Sequence, residues 1–303
     1  MRSLRFIRFF RHLNIVVLKQ VIAEIGERRL PGLAAEMAYN AMLALFPAIL
    51  AILTTIGMFE PSQSTFESLA LQLSEVAPEQ ALNLIENFTA QLDLSKNQGL
   101  LSVSFIAALW VASAAVSAAM NALDRIFQIP RSQRRPFWKA KLMSIGLTVG
   151  TIILLVLASF LVFLSDLILK IAVSRVGLFE STILSAWRLL SWPIALVIVA
   201  CAFAFIYRHG PSRWRKGTPI MPGALLGAIL WATISGLFRT YVSNFGNYNQ
   251  TYGAIGAVIV LLLWLDLSSL AILIGAQLNK TVGDAMYAKA EYRRLETPAT
   301  ESE

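Results

Sequence analysis

The sequence predicts an all-α membrane protein, a six-transmembrane-helix bundle with an extracytoplasmic helical cap. Three observations predict it. First, charged residues make up only 15% of the 303 and hydrophobic residues 56%, against about 25% charged in an ordinary soluble domain. Mean hydropathy is +0.63. Second, the charges are partitioned. Six stretches, 37–58, 100–121, 142–165, 189–206, 219–238 and 253–278, hold 132 residues and a single charge, Asp266. The other 171 residues carry 43 charges, an ordinary soluble share. Third, Lys and Arg alternate in the segments between spans: 7, 1, 6, 3, 4, 1 and 4 in chain order. That places 21 on one side and 5 on the other, which by the positive-inside rule puts both termini in the cytoplasm.

Each stretch is long enough to cross about 30 Å of hydrocarbon as a helix. No period-2 pattern supports a barrel, so helices are the expected spans. Residues 1–36 form a basic cytoplasmic segment. Within it Phe6, Phe9, Phe10, Leu13, Val17 and Val21 fall near a 3.6-residue period between arginines. The pattern reads as an amphipathic helix lying on the membrane, and a plain basic tail is the competing reading. Gly26, Pro31 and Gly32 punctuate its end.

Segment 59–99 carries six acids and one lysine, Lys96. Two short amphipathic patterns hinged near Pro78 make it a cap outside the membrane. Segment 122–141 is a basic connector in which Asp124 and Arg125 read as a local ion pair. Residues 37–280 form the transmembrane domain and 281–303 a polar cytoplasmic tail, disordered at its end. The single cysteine, Cys201, lies inside the fourth span and cannot form an internal disulfide.

Soluble-enzyme constellations are missing. The two histidines, His12 and His209, lie outside the spans, and no His, Cys and carboxylate grouping has metal spacing. No phosphate loop, dinucleotide fingerprint or nucleophile elbow is present. The expectation is therefore no enzyme, no catalytic residue, no cofactor and no metal. The basic residues are split among four segments, which argues for anionic lipid heads as partners rather than nucleic acid. A homo-oligomer stays open.

The informative residues are polar ones inside the bilayer. Asp266 sits at the middle of a span running from Tyr252 to Asn279, where a carboxylate costs about 2.5–3.5 kcal/mol on insertion scales. It must be partnered, neutral or facing water. Either a proton- or cation-linked site or a hydrogen-bonded helix lock satisfies that. Gln277 lies 11 residues on, nearly on the same face. Glu36 and Asn40 share one face before and within the first span, and Pro47 frees a backbone carbonyl there. Small residues in the second span (Ala112 to Ala119) and glycines at 223, 227, 236, 253, 256 and 275 point to close helix packing.

Three stretches together resemble the YihY/BrkB family of bacterial inner-membrane proteins. They are Leu33–Phe59, "LAAEMAYNAMLALFPAILAILTTIGMF"; Leu109–Trp138, "LWVASAAVSAAMNALDRIFQIPRSQRRPFW"; and Tyr252–Asn279, "YGAIGAVIVLLLWLDLSSLAILIGAQLN". With the span order, the resemblance covers about residues 15–285. The positions that carry it are Tyr39, Pro47, Asn121, Tyr252, Gly253, Trp264, Gly275 and Asn279. The resemblance implies an inner-membrane protein. It leaves the activity open, since members have carried a ribonuclease label, links to virulence or serum resistance, and a suggested transport role. The family often has Tyr where Asp266 stands, so Asp266 is not carried over. The expected function is a transporter or channel for a small solute, ion or lipid-like molecule. The alternatives are a non-transporting scaffold or envelope-assembly partner, then a lipid-directed membrane enzyme.

Overall fold

The computed structural model describes residues 15–59, 98–154, 180–214, 220–244 and 246–296. The expected cap, the outer half of the third span and the final residues 297–303 lie outside them. All long elements are helical: α1 (Ile15–Glu27), α2 (Leu30–Phe59), α3 (Gln98–Ile126), α4 (Phe137–Leu154), α5 (Glu180–His209), α6 (Met221–Asn244) and α7 (Gly246–Glu296). Among the described residues, four helical stretches are long and apolar enough to cross a membrane: Ile106–Ile126, Phe137–Leu154, Met221–Tyr241 and Val258–Ala288. In α5 the apolar stretch Leu196–His209 is shorter.

The helix boundaries follow local chemistry. The α1–α2 break falls at Arg29, whose φ is 53°, rather than at Gly26. Pro31 then occupies the first turn of α2, where its missing N–H costs nothing. α3 ends in a Schellman motif: the Ile129 N–H bonds the Asp124 carbonyl at 2.9 Å and the Gln128 N–H bonds Arg125 at 3.1 Å. Gln128 holds the left-handed position, φ 53°, that glycine usually takes. Pro47 and Pro193 both sit inside continuous helices. In lipid, a helix accepts proline because neighbouring groups can satisfy the freed carbonyl.

One apolar core joins α2, α3, α5, α6 and α7. It includes Leu30, Ala34 and Met37, Ala118, Ala122 and Leu123, Phe203 and Tyr207, Ala224 and Ala228, and Leu273 and Ala276. Alanines supply much of it, as the small-residue patterns predicted. They let helix axes approach, and dispersion and packing replace the weak hydrophobic drive between helices in lipid.

Two findings differ from the sequence reading. The last helix does not end with the span; it continues to Glu296 as 51 residues. A Lys280–Asp284 pair at 2.7 Å supports it one turn apart. In addition, α1 does not lie on the membrane alone. Its Val17 and Val21 pack on Leu278 and Val282 of α7, with Ala285 and Met286 alongside. Each stripe is too short to bury itself, and each covers the other. The neighbouring face of α1 stays open, with Ile15, Leu18 and Ile22 exposed.

Candidate functional site

The polar side chains of α7 form one stripe. Asp266, Ser269, Leu273, Gln277 and Thr281 recur at three- and four-residue steps, so they share a helix face. Ser269, Leu273, Gln277 and Thr281 are buried on it. Oδ1 of Asp266 and Oε1 of Gln277 are shielded from solvent, and neither has a hydrogen-bond partner among the described residues. Ser268 Oγ, just beside the stripe, is the same. A buried polar group without a partner carries its full desolvation cost, about 1–3 kcal/mol. Leu273, fully buried, separates the two polar ends.

The Gln277 end is anchored by α1. Glu24, 8% exposed, accepts from four groups. They are Gln20 Nε2 at 3.1 Å, Arg28 at 2.9 Å, Thr281 Oγ1 at 3.1 Å and Gln277 Nε2. Gln277 also donates to Thr281 Oγ1 at 2.9 Å. Arg28 in turn donates to the Ile126 carbonyl at the end of α3. Taking one partner from such a buried pair leaves an uncompensated charge, which is strongly destabilising.

Beside this anchor, Asn279 joins α7 to the start of α6. Its Oδ1 accepts the Gly223 N–H at 2.8 Å and its Nδ2 donates to the Ile220 carbonyl at 2.8 Å. A side chain from another helix thus caps one free N–H in the first turn of α6. The contact needs glycine on both sides, because a Cβ at Gly223 would overlap the Gly275 carbonyl and Asn279, and one at Gly275 would overlap Gly223. The Tyr207 hydroxyl donates to the Ile272 carbonyl in the same seam. Further along, Trp264 Nε1 donates to Ser235 Oγ at 3.2 Å and its ring lies 6.5 Å from that of Trp231.

The remaining expected residues fall elsewhere. Glu36 and Arg125 face each other at 3.9 Å on an exposed surface, a geometry that contributes little. Asn40 donates to the Glu36 carbonyl at 2.7 Å, within its own helix. Tyr39 is 60% exposed and Asn121 is also exposed, so these family positions face away from the core. Pro47 is half-buried. Tyr252 and Gly253 lie in α7, but their surroundings are outside the described residues.

Asp124 and Arg125 do not form the expected pair. Asp124 instead accepts the Ser212 N–H and hydroxyl, both at 2.6 Å. Arg135 grips the same turn through the carbonyls of His209, Gly210 and Pro211 at 3.1, 2.7 and 2.8 Å. Sequence reasoning missed Glu24, Arg28, Tyr207 and Arg135. Glu24 carries a faint signal, since it falls on the Val17–Val21 stripe of α1. These contacts gather residues 24–28, 124–135, 209–212 with 220, and 277–284 at one end of the bundle. They lie within or beside the segments between spans that carry most of the Lys and Arg.

Comparison with known proteins finds relatives described as membrane proteins. A family model described as virulence factor BrkB matches residues 21–300. The chain is similar to ribonuclease-like protein YfkH of Bacillus subtilis, 34% identical over 246 residues, 81% of this chain and 87% of that one. It is also similar to a UPF0761 membrane protein of Tolumonas auensis, at 27% over 94% of this chain and 87% of the relative. A UPF0761 membrane protein of Photobacterium profundum, PBPRA3489, matches at 27% over 88% and 83%. No solved structure matches.

Proposed function

Because the chain belongs to the BrkB family and is an integral membrane protein, we propose that it is an inner-membrane transporter or channel for a small solute, ion or lipid-like molecule. One observation carries the reading. A carboxylate oxygen of Asp266 within a membrane helix is buried without a partner among the described residues, on the same face as a second such oxygen at Gln277. A helix lock would use those oxygens, whereas a path that admits water, a cation or a substrate leaves them available. Leu273 between them is the dry constriction such a path needs when closed. The gathering of the four basic segments at one end supports cytoplasmic termini and an even number of spans. The exposed apolar face of α1 at that end supports contact with lipid and its anionic heads.

The reading is of a non-enzymatic protein. The ribonuclease-like name belongs to the relative, and RNA incubated with this protein is expected to survive as it does in buffer. A scaffold is the second reading, and one observation favours it. The exposed Glu36, Tyr39, Asn121 and Arg125 form a polar surface on α2 and α3 that a partner could cover.

Reconstitution separates the two. Proteoliposomes tested with protons, alkali cations, chloride, amphiphiles and labelled lipids should move at least one probe several-fold faster than protein-free vesicles. Asp266→Asn should change the pH dependence of that flux. No flux above the control for any probe, together with a stable protein crosslinked through Tyr39 or Asn121 in cells, would favour the scaffold.

A further inference from the structure

Outside that stripe, α4 carries a cation in an unusual place. The Lys141 ammonium donates to the Trp110 carbonyl and to Ser113 Oγ, both at 2.7 Å, and lies 4.6 Å from the centre of the Trp110 ring. Ser113 is fully buried. Both partners sit within the apolar stretch Ile106–Ile126. Trp110 is about 24 Å along the helix from Ile126, at 1.5 Å per residue. Lys141 itself stands in the second turn of α4, where the basic connector 122–141 meets the third apolar stretch.

All of its partners are neutral. An ammonium has three donors, and two are used here. No carboxylate pairs with it among the described residues. Its surroundings are open and aromatic rather than closed. Phe137 and Trp138 are 67% and 68% exposed, Leu142 is 67% exposed, and the Trp138 ring lies 6.4 Å from that of Trp110. An ammonium held by neutral partners beside exposed aromatic and aliphatic side chains suits an anion that arrives with apolar chains.

We propose that Lys141, Trp110 and Trp138 form a binding site for the phosphate of a glycerophospholipid entering between α3 and α4. The ammonium holds the phosphate through its third donor, Ser113 and the Trp110 carbonyl fix the ammonium, and the rings flank the glycerol and upper acyl chains. The site is independent of the transport reading, since binding alone is claimed.

Native mass spectrometry of the full-length protein in detergent tests it. Dioleoyl phosphatidylglycerol should bind the wild type about fivefold more tightly than the Lys141→Met variant, the scale of one basic contact with an anionic headgroup. Lys141→Arg should restore the difference. Dioleoylglycerol, which lacks the phosphate, should bind all three alike. Should Lys141→Met not be recovered folded, Lys141→Gln carries the comparison. Equal phosphatidylglycerol binding by wild type and the neutral variants would overturn the proposal. Displacement of the lipid by millimolar inorganic phosphate would overturn it too, by making the site one for a free anion.

Discussion

At the residue scale, the features that matter are groups set against their surroundings. Asp266 stood out in the sequence because it was the one charge the spans did not exclude, and its Oδ1 has no partner among the described residues. Glu24 could not be found that way. Its partners Gln277 and Thr281 are 253 and 257 residues distant, and no local pattern reports such a pairing. Gln128 was equally hidden, since glutamine is not a residue that announces a left-handed cap. Its backbone predicts a measurable strain. Left-handed geometry costs a non-glycine residue about 1–2 kcal/mol, and glycine returns part of that through its looser unfolded chain. Gln128→Gly should therefore raise stability by about 0.5–1 kcal/mol, seen as a higher thermal midpoint of the purified protein. A lower midpoint would mean that the Gln128 side chain, not its backbone, holds the turn.

At the element scale, hydropathy located the helices well and their ends poorly. Apolar stretches near 100–121, 219–238 and 253–278 appear as α3, α6 and α7. The continuation of α7 to Glu296 was unreadable because residues 281–296 look polar in isolation. Their helix depends on Val282 meeting Val17 and Val21, a pairing between the two ends of the chain. The glycine spacings were legible as packing, and the α6–α7 seam shows why. A Cβ at Gly223 has nowhere to go, whereas one at Gly236 meets nothing within 4 Å. Gly223→Ala should cost roughly 1–3 kcal/mol through forced separation of the helices. Gly236→Ala should be neutral or stabilising by up to about 1 kcal/mol. Thermal unfolding of both variants in one detergent checks the contrast, and equal midpoints would refute the close-contact seam.

At the scale of the whole molecule, charge and topology tell one story. Described residues within or beside the basic segments come together in space, where Arg28, Asp124, Arg135 and Asn279 tie α1, α3, α5, α6 and α7 at one end. The polar stripe of α7, from Gln277 to Asp266, runs along the helix from that end. The central claim is that this stripe meets water. It is tested most directly by cysteine accessibility in a Cys201→Ala background, in membranes, with a membrane-impermeant thiol reagent. Cysteines at 266 and 269 should react while one at the exposed apolar position 229 of α6 does not, because an exposed apolar position in a spanning helix is expected to face lipid. Reaction at 229 with none at 266 or 269 would contradict a water-accessible path along α7.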